Sequence, residues 1–261
     1  MSPKYTDAVQ GTTIYDYFGN RVVQSIASNG RVVAVKVKPE VGFARSEAQM
    51  MEYASQQPGI TAPHVLGCYD VDPGITTMVS DLVPGVSLDT VWHKMSKAQR
   101  DSIKTQLKEQ ISNFRRCTQP YIGRLDYQPT RNFYDRLKFN FMGPFDSEAE
   151  FDNWCLSRVK SPLARIKWKY LLPRMHRKVS KAFVLTHGDL AARNIMVKDG
   201  VITGILDWEN AGFFPEYIEC VLATEICDPH EDWWKPVLKE ILGPCRSDRL
   251  TFQALVKDRG W

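Results

Sequence analysis

Residues 186–209 read THGDLAARNIMVKDGVITGILDWE, and the fold turns on this stretch. At its centre Asp199-Gly200 separates two apolar runs, Ile195–Val197 and Val201–Leu206. An Asp-Gly pair in that setting favours a type I′ turn, because both central residues take φ > 0 and the turn's twist matches that of the strands. A two-residue hairpin centred there pairs Asn194 with Ile205 and leaves Asp207 two residues beyond that pair. Asn194 and Asp207 are therefore expected to leave the open end of the hairpin side by side, with Asp189 on the loop just before it. Oxygen-bearing side chains so placed suit a hard cation such as Mg²⁺, which takes one or two protein oxygens and fills its other positions with water and phosphate. Taken singly, Asp189, Asn194 and Asp207 are ordinary turn and cap residues. Their joint spacing is what points to chemistry.

That joint pattern, His187-Gly188-Asp189 with Asn194 downstream and then a strand-borne Asp207, resembles the catalytic signature of protein-kinase-like phosphotransferases. Gly188 stands where protein kinases usually carry Arg. In this HGDL form the chain looks like the aminoglycoside phosphotransferase and choline kinase branch. THGDLAARNIMV, ITGILDWENAG and FFPEYIE are similar to the fungal proteins of that family, over most of the chain and most closely from Val184 to Glu219. The resemblance implies a mixed α/β (α+β) fold of two lobes. Residues 1–83 would form a small β-rich lobe, and residues 84–261 a larger, mainly helical one. It also implies ATP- and Mg²⁺-dependent transfer of the γ-phosphoryl group to a hydroxyl of a small molecule. Asp189 would accept the hydroxyl proton, Asn194 and Asp207 would hold Mg²⁺, and His187 would brace the loop. Arg193 is open between phosphate and acceptor, and Glu209 between the metal and an acceptor amine.

The amino-terminal part has its own hairpin signal, Asn29-Gly30, between Val22–Ala27 and Arg31–Val37. In the second run Ala34, Lys36 and Lys38 share one face of the strand and Val33, Val35 and Val37 the other. The segment VAVK is similar to the kinase strand whose Lys pairs with ATP phosphates, which points to Lys36, with Lys38 as the alternative. An edge-strand lysine that guards against aggregation is the plain reading of either. A helix is expected from about Arg45 to Gln56, ended before Pro58. Glu47 near its start would orient the strand lysine, with Glu52 as competitor and a dipole-favoured first-turn acid as the plain reading. Between Tyr15 and Val23 only Gly19 stands in for a glycine-rich phosphate loop. Strands Val65–Val71 and Thr76–Val83 flank Pro73-Gly74, and Ser80, Asp81, Leu82 and Val83 would be the hinge where backbone groups meet adenine.

From Ser96 the chain becomes helical. Ser96 and Gln99 form a capping box, and Ile103, Leu107, Ile111 and Phe114 recur at helical spacing. Residues 121–146, rich in aromatics such as Tyr127, Phe133, Phe139 and Phe141, are expected on the acceptor side or in the core. Residues 158–181 carry nine Lys or Arg and no acid. A solvated helix face explains them better than a nucleic-acid surface. Residues 207–234 carry eight Asp or Glu and no Lys or Arg, and would favour an amine-bearing acceptor if they lined the cleft. Glu216 and Asp228 are also expected to cap helices.

Composition bounds the rest. The 261 residues suit one large domain or two lobes, and a net charge of +4 is too small to imply a polyanion partner. No run of about 18 apolar residues suggests a membrane span, and no apolar segment opens the chain, so a cytoplasmic enzyme is expected. The six cysteines lack zinc spacing and are expected to be reduced thiols. Two alternatives stand beside the small-molecule kinase: a kinase-like nucleotide-binding module without transfer, and a protein kinase. Only seven residues separate Asp207 from Pro215, little room for a regulatory activation loop. Oligomeric state is not legible.

Overall fold

The computed structural model describes residues 9–17, 20–39, 45–135, 140–176, 182–226 and 232–259. Gly19, Phe139, Cys227, Asp228 and Glu231 lie outside the described residues. Five antiparallel strands come first: β1 (Thr12–Tyr17), β2 (Asn20–Ile26), β3 (Val32–Pro39), β4 (Val65–Asp72) and β5 (Ile75–Asp81), ordered β1-β2-β3-β5-β4. The turn between β2 and β3 uses Gly30 at φ +82°, while the Asn29 side chain accepts from the Arg31 amide at 3.0 Å. The alternation in β3 does what period two predicts. Val33, Val35 and Val37 pack with Ile75 in a small outer cluster, which turns Lys36 and Lys38 to the opposite face. There α1 (Arg45–Ser55) crosses the sheet between β3 and β4, burying Glu47, Met50, Met51 and Ala54.

A long connection follows through β6 (Val86–Ser87) and α2 (Leu88–Val91) into α3 (Lys97–Arg116). The expected capping box is present: Gln99 donates its amide to Ser96 Oγ and takes the Ser96 amide on its own side chain. Ile103, Leu107, Ile111 and Phe114 are buried, so α3 is the floor on which the remaining elements pack. Short ladders β7 (Thr118–Gln119), β8 (Thr130–Arg131) and β9 (Phe141–Met142) lead to α4 (Glu148–Arg158) and α5 (Pro162–Leu171). Then come β10 (Phe183–Thr186), the hairpin β11 (Ile195–Lys198) and β12 (Val201–Ile205), and β13 (Gly212–Phe214). The helices α6 (Tyr217–Val221), α7 (Lys235–Leu242) and α8 (Ser247–Lys257) complete the chain. Among the described residues no helix is long and apolar enough to cross a membrane. The described cysteines are all free thiols.

The central hairpin has the expected turn, with Asp199 at φ +52° and Gly200 at φ +80°. Its register departs from the expected one. A bulge between Met196 and Val197 sets Ile195 opposite Ile205, and the Leu206 amide donates to the Asn194 carbonyl at 2.7 Å. Asn194 therefore faces Leu206, and Asp207 follows one residue beyond the pair instead of two. The extra residue, Thr203, hands its hydroxyl to the Pro84 carbonyl at 2.6 Å. Beside it, a Cβ on Gly204 would fall 2.6 Å from the Val83 side chain. Contacts with the 83–84 segment thus hold the bulge, and both Ile195 and Ile205 are buried as a result.

Candidate active site

The catalytic-type loop starts where β10 ends. Gly188 takes φ +82°, and a Cβ there would meet the Asn210 Cβ and carbonyl oxygen at 2.9 Å. That backbone explains why glycine replaces the arginine of protein kinases at this position: a side chain would both strain φ and collide with Asn210. His187 is fully buried. Its Nε2 donates to the Leu206 carbonyl at 2.9 Å, and its Nδ1 accepts the Asp189 amide at 3.1 Å. Burial drives its pKa down to about 4, against the pull of Asp207, so the ring is a neutral brace. The indole of Trp208 packs edge-on against it, with centroids 4.7 Å apart. Trp208 is itself fully buried and donates to the Ile205 carbonyl at 2.9 Å.

Asp189 lies next, its carboxylate accepting from Arg193 Nη2 at 3.0 Å. The Asn194 side-chain amide donates to the Asp189 carbonyl at 3.0 Å, tying the loop to the hairpin mouth. The Trp234 indole donates to the Leu190 carbonyl at 2.9 Å and supports the loop from the other side. Beneath it sits a residue that counting charges along the acidic run did not single out. Glu219 is buried, and its two oxygens accept the amides of His187 at 2.6 Å and Gly188 at 3.0 Å. Burial raises its pKa to about 7 although the two amides oppose the shift. The signal available was a lone acid among apolar neighbours, Tyr217-Ile218-Glu219-Cys220-Val221.

Across from the loop, Lys36 Nζ lies 2.7 Å from Glu47 Oε1 and 2.7 Å from Asp207 Oδ1. Burial would lower the Lys36 pKa, but Asp207, Glu47 and Glu209 outweigh it and hold the ammonium well above its ordinary value. Burial would likewise raise Asp207 and Glu47, and Lys36 and Lys38 overcome it and hold both carboxylates below their usual range. Asp207 reaches this position in the left-handed region, at φ +65°, which Asp tolerates better than most residues. Lys38 is not an idle alternative. It lies 2.9 Å from Glu209 Oε2 and 3.6 Å from Glu47 Oε2, and Arg131 lies 2.6 Å from Glu209 Oε1. Glu52 is engaged elsewhere, accepting the Val65 amide at 2.7 Å.

The structure thus brings Lys36, Glu47 and Asp207 into contact, and places Asp189, Arg193 and Asn194 on the loop joined to them. Of the expected hinge, Ser80 is buried, Asp81 pairs with Arg31, and Val83 packs on Gly204. Donor chemistry at the hairpin mouth, one carboxylate and one amide oxygen, fits a hard divalent cation that keeps much of its water. The structure also places the charged and aromatic runs. In the acidic run, Glu209 is held by Lys38 and Arg131, Glu216 pairs with Arg115 at 3.2 Å, and Asp232 pairs with Lys235 at 2.6 Å. Glu216 makes no side-chain cap to α6. Of the aromatics after residue 120, Phe133 is core, while Tyr127 and Phe141 are exposed. In the basic run, α5 buries Trp168 and turns Arg165, Lys167 and Lys169 to solvent.

The class that this fold and site define is a kinase-like phosphotransferase. Residues 12–233 match the model of the phosphotransferase enzyme family. The chain belongs to that family, and is by class an enzyme, a phosphotransferase. A search of the curated proteins found no match. Among solved structures, aminoglycoside phosphotransferase APH(4)-Ia shares 14% identity at a TM-score of 0.62, over 95% of this chain and 83% of that one. A thermostable mutant of it, in ternary complex with ADP and hygromycin B, gives 14% and 0.59 over 95% and 83%. A candidate fructosamine-3-kinase from Thermobifida fusca gives 12% and 0.59, over 100% of this chain and 98% of that one. At these identities the likeness shows the kinase-like fold.

Proposed function

We propose that the protein transfers the γ-phosphoryl group of ATP to a hydroxyl of a small molecule, with Mg²⁺, in a fungal-type and cytoplasmic setting. The observation that carries this reading is the Lys36 ammonium held between Glu47 and Asp207, with the Asp189 loop joined to the same hairpin. The nucleotide lies between residues 1–83 and 84–261, its adenine against the backbone of Ser80, Asp81, Leu82 and Val83. Phosphoryl transfer passes through a loose transition state with charge spread over equatorial oxygens, so positioning and neutralisation dominate. Lys36 supplies one fixed positive charge to the phosphates, and Glu47 keeps it aimed. Asp189 orients the acceptor hydroxyl and takes its proton, while Arg193 beside it steadies the incoming anion. Asn194 and Asp207 would hold the metal, whose chemistry is to neutralise phosphate oxygens. The Lys38 and Arg131 contacts of Glu209 support a bracing role for that residue. Among the described residues, the internal pairing of Glu209, Glu216, Glu219 and Asp232 gives no support to an amine requirement on the acceptor.

The test is Mg²⁺-dependent transfer from γ-labelled ATP to a panel of amino alcohols, aminoglycosides, polyphenols and sterols, with a generic protein included. Label on a small molecule that disappears with Asp189→Asn supports the reading. Label on protein alone would replace it with a protein kinase. Nucleotide binding without label on any acceptor would replace it with a binding module.

A further inference from the structure

We propose that Arg124 is a positioning residue: a buried guanidinium that ties the first turn of α1 to the segment after Asp207 and so sets the span that Lys36 bridges. This rests on the phosphotransferase reading above. Arg124 is 1% exposed. Its backbone is held by the adjoining ladder, where the Arg124 amide donates to Gln128 at 2.8 Å and Gly123 and Phe213 exchange hydrogen bonds at 3.1 and 2.7 Å. The side chain then reaches both sides of the site. Nη1 donates to Ser46 Oγ at 2.6 Å, Nε donates to the Ala211 carbonyl at 3.2 Å, and Nη2 donates to the Glu209 carbonyl.

Ser46 immediately precedes Glu47, and Glu209 lies two residues after Asp207. One planar fork therefore grips the neighbours of both carboxylates that hold Lys36. These three acceptors are neutral, two carbonyls and a hydroxyl. A buried cation with neutral partners is costly to keep unless its geometry is used. Glu47 and Glu209 favour the charge from further away and Arg131 opposes it, while burial, the largest influence, lowers the pKa to about 10. The cation thus stays charged at neutral pH. A lysine would carry the charge without the fork, since its three donors radiate from one nitrogen.

The test compares Arg124→Lys, Ser46→Ala and the unaltered protein. Hydrogen exchange is followed without ligand at the first turn of α1, at residues 208–211 and at α3. Km for ATP, Km for the acceptor and kcat are measured alongside. In Arg124→Lys, exchange should accelerate at α1 and residues 208–211 but not at α3. Km for ATP should rise about tenfold, as expected for the loss of hydrogen bonds to a charged group, with the acceptor Km unchanged. Ser46→Ala should act in the same direction and less strongly. A merely structural role would instead lower the active fraction and leave the ATP Km where it was. Unaltered exchange and ATP Km in folded Arg124→Lys would overturn the proposal. If that variant did not fold, Ser46→Ala without either effect would do so. Failure of the unaltered protein to bind ATP–Mg²⁺ would sink the phosphotransferase reading, while the ligand-free exchange comparison would still decide whether Arg124 sets the span.

Discussion

Lys36 and Asp207 touch, Nζ to Oδ1 at 2.7 Å, although they lie 171 positions apart in the chain. The contact joins the strand that carries the lysine to the hairpin mouth that carries the carboxylate, so both ends of the proposed phosphate site are set by one ion pair. Asp207→Asn keeps a residue that tolerates the left-handed backbone and removes the charge. Mg²⁺-dependent transfer should fall by at least about a hundredfold, the scale seen when one preorganised charge-stabilising group is lost. The fold should survive, as judged by an unchanged circular dichroism spectrum. Wild-type transfer rates in this variant would mean that the metal is held elsewhere.

Asp189→Asn makes a different cut. It removes the proposed proton acceptor and leaves Lys36, Glu47 and Asp207 as they are. Turnover should drop by roughly 10²- to 10⁴-fold, the usual range for a positioned general base. Affinity for ATP–Mg²⁺, measured by titration calorimetry, should stay within about twofold, because the Asp189 carboxylate bonds to Arg193 on its own loop while the Lys36 ammonium is held by Glu47 and Asp207. A parallel loss of nucleotide affinity would move Asp189 from the acceptor side to the nucleotide side.

Two glycines with nearly equal φ provide a control on the loop geometry. Gly188 (φ +82°) is pressed against Asn210, whereas Gly200 (φ +80°) has open space around it. Gly200→Ala should cost only the left-handed strain, about 1–2 kcal/mol. Gly188→Ala carries that strain plus an overpacking cost of about 1–3 kcal/mol. It should also displace Asp189 and reduce turnover in the fraction that stays folded. Thermal unfolding checks the order. Equal losses of Tm in the two variants would mean that the loop does not sit against Asn210 as described.

The parts of this site that were legible in the sequence are those decided by local chemistry. Asp199-Gly200 announced its turn because only residues that accept φ > 0 fit there. The Ser96–Gln99 box announced a helix start. Period two put Lys36 and Lys38 on one face, but nothing local could say that Lys36 meets Asp207 while Lys38 meets Glu209. The one-residue shift of Asn194 against Leu206 was equally hidden, since Pro84 and Val83 hold the bulge from far along the chain. Arg124 was invisible as a functional support for the same reason, and Glu219 showed only as a lone acid among apolar neighbours. Their partners are backbone groups brought to them by tertiary folding. In the acidic run the partners of Glu209 and Glu216 were hidden, because counting charges along the chain ignores the cations of other elements, here Lys38, Arg115 and Arg131, that fold onto it.

His187 and Glu219 grip the same loop and should give opposite pH dependences of stability. The folded pKa of His187, about 4, lies below its ordinary 6.5. Its contribution is therefore complete above 6.5 and is lost as the pH falls toward 4. The folded pKa of Glu219, about 7, lies above its ordinary 4.5. Its contribution is greatest below 4.5 and declines as the pH rises toward 7, because the unfolded chain releases that proton first. Each swing is on the order of 3 kcal/mol, and over their shared window the two largely cancel. Removing one should expose the other. Chemical unfolding of Glu219→Gln, which also leaves one of the two loop amides without an acceptor, should show a deficit against the parent that shrinks from pH 4.5 to 7. His187→Gln should show a deficit that grows over the same range. Parallel deficits in the two variants, flat with pH, would mean that neither group titrates out of step with the unfolded chain.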